Sequence, residues 1–222
     1  MIIYHGSQII VAKPEYGKGN KYNDYGQGFY CTESLELAKE WACTESASGY
    51  VNEYDFNIDN LKVLHLSEPP YSVLNWLAIL MENRAVRLST PMMMLGQKWL
   101  KQHFLPELNG VDVIVGHRAD DSYFTFARSF VNNEISLHQL SLAMKFGDLG
   151  QQVFLKSQRA FDALKFVKAI SVEKEVYYPR RKTRDDMARE NYRLIQVEND
   201  LNGLFMRDIL KEEIMPDDPR LQ

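Results

Sequence analysis

The sequence predicts an α+β fold: one mixed α and β domain over residues 1–172, followed by a helical C-terminal appendage over residues 173–222. Three observations carry that reading. Short β-like runs recur along the domain between segments whose apolar residues fall at helical spacing. Gly, Pro and Asn punctuate those segments, with no internal repeat and no low-complexity tract. After Ser171 the chain turns polar, with a concentrated basic cluster at Arg180, Arg181, Lys182 and Arg184.

The elements follow in order. Ile2-Ile3-Tyr4 reads as a short buried strand ended by Gly6-Ser7. Residues 13–25 hold Pro14, Gly17, Gly19, Asn20 and Asn23 together with three tyrosines, the mark of an ordered surface loop. Gly26-Gln27-Gly28-Phe29-Tyr30 leads into a second strand. Thr32 is positioned to cap a helix with Ala38, Trp41 and Ala42 on one face. Tyr50 to Phe56 and Lys62 to Leu66 are the next strands. Leu74, Leu77, Ala78 and Met81 mark a core helix over residues 73–88, and Pro91 separates it from a helix over residues 94–103. Val111 to Gly116 is the clearest strand. Helices over residues 122–131 and 137–144 meet at Asn132-Asn133. Gln152 to Leu155 is a strand, Ser157 caps a short helix, and Leu164 to Ile170 forms the last strand. In the appendage, residues 185–198 and 204–214 read as two polar helices broken at Asn202-Gly203.

Composition excludes several classes. With 222 residues, 45% of them apolar and 25% charged, the chain has ample core and no signature of disorder. A net charge of −4 rules out a protein that holds nucleic acid by bulk charge. Cys31 and Cys43 alone make neither a disulfide framework nor a four-ligand zinc site, and His103, His117 and His138 lack metal-type spacing with them, so no metal is expected. No apolar run reaches the roughly 18–20 residues of a membrane span, and the first residues lack a signal-peptide pattern. A soluble, cytoplasmic protein is the expectation.

Taken singly, the candidate functional residues are weak. His5 at a strand end reads as a structural histidine, and Tyr30 as core. Gly26-Gln27-Gly28 lacks the third glycine of a dinucleotide fingerprint, so a Rossmann reading fails, and no Walker loop is present. Together they say more. Tyr4-His5-Gly6-Ser7 is followed by Asp24-Tyr25-Gly26-Gln27-Gly28-Phe29-Tyr30-Cys31-Thr32, then Ala38 to Ala42 with Trp41 eleven residues beyond Tyr30, then Asp112 to Gly116. This series resembles the ADP-ribosyltransferase superfamily in its poly(ADP-ribose) polymerase-like, His-Tyr-Glu branch. It is most similar to a bacterial ADP-ribosyltransferase-like family of unknown function, over most of residues 1–170.

The resemblance implies a split β-sheet core with helical insertions, and NAD as substrate held in a cleft between two strands. His5 would hydrogen-bond the adenosine ribose. Gly6 would grip the nicotinamide carboxamide through its backbone, where a side chain would intrude. Tyr30 and Trp41 would stack on the nicotinamide ring, and Ser7 and Gly28 would belong to the same NAD-contacting set. Cleavage of the nicotinamide–ribose bond develops positive charge on the ribose, so stabilising that charge and aligning the nucleophile should dominate the rate.

This chain departs from the pattern at the third position. Gln152 stands where the branch places its catalytic Glu, and an amide can hydrogen-bond a ribose hydroxyl but cannot act as base or supply charge. The expectation is therefore mono-ADP-ribosyl transfer to a protein or nucleic acid, with His5, Tyr30 and Gln152 as the catalytic set. The resemblance further implies a toxin of a toxin–antitoxin pair with a small protein partner. The rivals are an NAD glycohydrolase, a non-catalytic module binding NAD or ADP-ribose, and, last, a tRNA 2′-phosphotransferase, for which Tyr30 stands where a second His is needed. Glu53, Glu134 and the pair Asp120-Asp121 are the other carboxylates weighed. Glu53 and Asp55 read as solvated and Glu134 as a cap, while Asp120-Asp121 fits a helix cap and the acidic segment that follows the matching strand in the similar family equally well. The appendage is expected to serve target recognition and to be dispensable for NAD binding.

Overall fold

Seven strands among the described residues form two sheets. β1 (Ile2–Ser7), β3 (Gly49–Phe56) and β7 (Leu164–Val172) make an antiparallel sheet in the order β1-β3-β7. β2 (Phe29–Cys31), β6 (Gln151–Leu155), β5 (Val113–His117) and β4 (Val63–His65) make the other, in the order β2-β6-β5-β4, with only β4 and β5 parallel. The computed structural model describes residues 1–118, 121–146, 150–198 and 200–221. The fold is mixed α+β, with eight α-helices among those residues.

One isolated bridge joins the sheets. Tyr4 and Thr32 exchange both backbone hydrogen bonds, at 2.8 and 2.9 Å. His5 and Tyr30 lie just beyond that bridge, on the two strands where pairing stops.

Strand alternation sorts the side chains of β6 into two environments. Val153 and Leu155 join Ile3, Phe29, Cys31, Tyr54 and Phe56 in a core between the sheets. Phe154 points the other way, into a larger core built with the helices. Gln152 shares the face of Phe154, and so does Tyr30, which pairs with Phe154 across β2 and β6. Two residues on different strands are thus aimed to one side by pleat geometry alone.

The helices on that side are α2 (Val73–Asn83), α3 (Pro91–His103), α4 (Asp121–Val131), α5 (Leu137–Ala143) and α8 (Met206–Lys211), all contributing to the larger core. α6 (Gln158–Asp162) follows Ser157, whose hydroxyl accepts from the Ala160 amide as expected for its cap. α1 (Leu35–Ala42) is capped by Ser34, not Thr32: Ser34 Oγ accepts from the Leu37 amide at 3.3 Å, while the Thr32 hydroxyl accepts from the Ser34 amide at 3.2 Å, ahead of the helix. Two other boundaries move. α2 ends at Asn83, and Val86 and Leu88 pack against the core from non-helical backbone. Pro91 opens α3 instead of separating it from α2, because its missing N–H falls at the first helical position, under a Thr90 cap.

The largest revision is in the appendage. α7 (Lys174–Val197) is one 24-residue helix that runs through Pro179. That proline forfeits one intrahelical hydrogen bond. Compensation comes from α1, since Arg180 pairs with Glu36 at 3.3 Å and Arg184 pairs with Glu40 at 2.8 Å. Lys182 pairs within the helix with Asp186 at 2.7 Å. Two of the four residues of the basic cluster thereby hold α7 against α1. Among the described residues, no helix is long and apolar enough to cross a membrane.

Candidate functional site

A cavity of about 420 Å³ opens where the two sheets part. His5 and Gly6 of β1, Tyr30 of β2, Trp41 of α1 and Gln152 of β6 all line it. The fold therefore brings together five of the residues singled out in the sequence, from four elements distant along the chain. Two others lie apart from its lining. The Ser7 hydroxyl donates to the Ile9 carbonyl. Gly28 faces β6, where an added Cβ would come within 2.7 Å of the Phe154 ring.

His5 Nδ1 lies 2.8 Å from the Tyr30 carbonyl oxygen. A carbonyl can only accept, so Nδ1 carries the proton and Nε2 of the neutral ring is an acceptor. Burial holds the His5 pKa below its ordinary value of 6.5, and the bond to the Tyr30 carbonyl offsets this only in part. The ring also lies against Phe29, 4.3 Å between centroids. Tyr30 is fixed at its far end: its hydroxyl donates to the Gly26 carbonyl at 2.6 Å and accepts from the Tyr25 amide at 3.2 Å. Burial raises its pKa well above the usual phenol range, so it is a neutral wall and a clamp on residues 24–26.

Burial also lowers the pKa of His117. Above pH 6.5 both histidines are neutral in the folded and unfolded chain alike. Below it the unfolded chain gains protons that the folded one refuses. Stability is thus fully present above pH 6.5 and is lost as pH falls, by up to about 1.4 kcal/mol per pH unit for each group until its folded pKa is passed. Thermal unfolding between pH 7.5 and 5.5 should show a falling midpoint, with a shallower fall for His5→Gln. A midpoint independent of pH would refute the burial of these rings.

Gln152 is only 6% exposed, and its Oε1 has no hydrogen-bond partner among the described residues. A buried acceptor left open is unfavourable unless a donor arrives. One face of the Trp41 ring carries the Arg118 guanidinium, 3.7 Å from the ring centroid. That face is not open to a second planar group while Arg118 stays.

Several lining residues were not foreseen. Asp24, 7% exposed, pairs with Arg84 Nε at 3.2 Å and is the one carboxylate among the described lining residues. Arg84 also lies over the Phe124 ring at 4.6 Å, and its Nη1 is buried without a hydrogen-bond partner among the described residues. Arg118 and Arg181 complete the cationic lining. The readable signal for Arg84 was a charge directly after an apolar helix. For Arg181, membership in the basic cluster hid its separate direction.

The remaining carboxylates do not supply an acid to the cavity. Glu53 is not solvated as expected: its side chain is 14% exposed and pairs across the sheet with Lys168 at 3.5 Å, because β3 is the middle strand. Asp55 is exposed, as its position near the strand end dictates. Glu134 accepts from the Asn132 amide at an exposed helix junction. Asp120 and the side chain of Asp121 lie outside the described residues. Among the described residues no group of three or more His, Cys, Asp or Glu is placed to hold a metal ion.

A family model described as a protein of unknown function (DUF3990) matches residues 1–166. That stretch contains every lining residue of the cavity except Arg181. Neither the curated proteins nor the solved structures compared with the chain gave a match. By its match over three-quarters of its length, the chain belongs to the DUF3990 family.

Proposed function

We propose that the cavity binds NAD and that the protein is an NAD-dependent mono-ADP-ribosyltransferase acting on a protein or nucleic-acid acceptor. The observation that supports this most is the convergence of His5, Tyr30, Trp41 and Gln152 on one cavity at the parting of two sheets. A volume of about 420 Å³ is within the range of small-molecule sites. The open Gln152 Oε1 calls for a ligand hydroxyl, and the Arg84 Nη1 donor calls for an anionic oxygen. A ribose-bearing dinucleotide has both.

On this reading His5 Nε2 accepts from a ribose hydroxyl and Gln152 orients the hydroxyl beside the reacting carbon. The nicotinamide–ribose C–N bond breaks, and nicotinamide leaves as a neutral molecule with the bonding electrons. The acceptor's nucleophile forms the new bond to that carbon, and its proton passes to a base on the acceptor or to water. The chain supplies alignment more than proton transfer, because the one carboxylate among the described lining residues is paired with Arg84. The same observation favours a second reading, in which water is the acceptor or NAD is bound without turnover.

Nicotinamide release from NAD, with and without cell lysate, tests the proposal. Gln152→Ala should slow release up to about tenfold, the loss of one hydrogen bond worth roughly 0.5–1.5 kcal/mol. Gln152→Glu should raise hydrolysis by placing a carboxylate beside the developing ribose cation. His5→Ala should abolish stabilisation by NAD in thermal unfolding. Binding without release in the wild type would leave the binding module, and an NAD-independent melting temperature would sink the NAD reading altogether.

A further inference from the structure

We propose that α7 completes this cavity with a subsite for a diphosphate, in which Arg181 and Arg84, beside Arg118, hold the doubly charged centre of a nucleotide ligand. The inference rests on the NAD reading only for the identity of that ligand.

Arg181 is the starting point. Its neighbours in the basic cluster have carboxylate partners: Arg180 with Glu36, Lys182 with Asp186, Arg184 with Glu40. Arg181 instead donates to the Cys43 carbonyl at 3.4 Å and lines the cavity. A carbonyl at that distance leaves the guanidinium charge largely uncompensated. Asp185 feels that charge, but it is already held by the Ser122 hydroxyl and by Arg189 at 2.8 Å. Helical geometry explains the split, since residues 180 and 184 share one face, directed at α1, while residue 181 is turned about 100° from 180.

Arg84 supplies the second, independent observation. Its Nε is committed to Asp24, but Nη1 is buried with no acceptor among the described residues. A buried guanidinium donor without a partner is filled most favourably by an anionic oxygen, and arginine's fork suits phosphate oxygens. On the same cavity wall Gln152, nine-tenths buried, holds out an empty acceptor. One unfilled donor set and one unfilled acceptor in the same cavity describe a ligand carrying both phosphate and hydroxyl groups. Free phosphate lacks the hydroxyl set, and a nucleoside lacks the anion. A diphosphate bridging two riboses satisfies both.

The consequence is that residues beyond the family match take part in binding. Arg181 is carried to the cavity by α7, which the Arg184–Glu40 and Arg180–Glu36 pairs help to fix against α1. The expectation that the appendage is dispensable for ligand binding is replaced by this one.

Calorimetric titration of the full chain and of Arg181→Gln, with ADP-ribose, inorganic pyrophosphate and adenosine, tests the subsite. The substitution is at an exposed position, so the variant should melt with the wild type. Arg181→Gln should weaken ADP-ribose and pyrophosphate by about tenfold or more and leave adenosine within twofold. The salt dependence of ADP-ribose affinity should become shallower in the variant. Unchanged affinity for both phosphate-bearing probes would overturn the subsite while leaving the NAD reading intact. Pyrophosphate binding that depends on Arg181, in a protein that ignores ADP-ribose and NAD, would uphold the subsite and remove the NAD reading.

Discussion

Gly6→Ala should destabilise the protein by about 3 kcal/mol or more, and Gly6→Val should leave no folded protein to assay. A Cβ at Gly6 would lie 2.7 Å from the backbone nitrogen of Ala42 and closer still to the carbonyl oxygen of Ala38. Both atoms belong to the backbone of α1, which cannot swing aside as a side chain does. To admit a methyl group, α1 must retreat from β1 as a body. Ala38 and Ala42 are fully buried in that contact, so retreat opens the layer formed with Cys43, Val51 and Val172. Overpacking of a tight core typically costs about 1–3 kcal/mol, and a clash with fixed backbone belongs at the top of that range or beyond. With total stability of roughly 5–15 kcal/mol for a domain, valine exceeds what the fold tolerates. Denaturant midpoints measure it, and an unchanged midpoint for Gly6→Ala would mean that α1 does not sit on β1. The glycine is thus explained by helix packing before any ligand is considered, and substitutions there cannot test the grip on a carboxamide.

That case shows what was legible in the sequence. Elements came through because their signals are local. The apolar runs of β5 and β6, the Ser157 cap and the heptad-like spacing of α2 each depend on neighbours within a few residues. The candidate site came through in part, because His5, Tyr30, Trp41 and Gln152 belong to ordered motifs whose spacing survives without coordinates. What failed depends on partners far along the chain. Thr32 looks like a helix cap until its backbone is seen to bridge to Tyr4, 28 residues earlier, which leaves the cap to Ser34. Glu53 looks solvated until Lys168 arrives on the next strand. The helix expected from residue 185 starts eleven residues earlier, in α7, where Arg180 and Arg184 meet Glu36 and Glu40 of α1. Asp24 and Arg84, 60 residues apart, give no sequence sign that they share a cavity.

The attachment of α7 bears on both the proposed function and the proposed subsite, and its most buried ion pair joins it to α1. Glu40 is 4% exposed, an expensive position for a carboxylate, and Arg184 meets it with two charge-assisted hydrogen bonds, Nη2 to Oε1 at 2.8 Å and Nε to Oε2 at 3.0 Å. This fork-to-fork geometry satisfies both carboxylate oxygens. Arg184→Ala should therefore cost about 3–5 kcal/mol, most of it from leaving the Glu40 charge buried without a partner. Pairing Arg184→Ala with Glu40→Gln should recover part of that loss, because a neutral amide tolerates burial better than a lone carboxylate. Arg180→Ala, at a pair more than half exposed on both sides, should cost no more than about 1 kcal/mol. Chemical denaturation of the four proteins separates these outcomes, and equal losses for Arg184→Ala and Arg180→Ala would show that α7 is not anchored through Glu40. If the anchor is as described, Arg184→Ala should also weaken ADP-ribose under conditions where it remains folded, since Arg181 then loses the helix that carries it to the cavity.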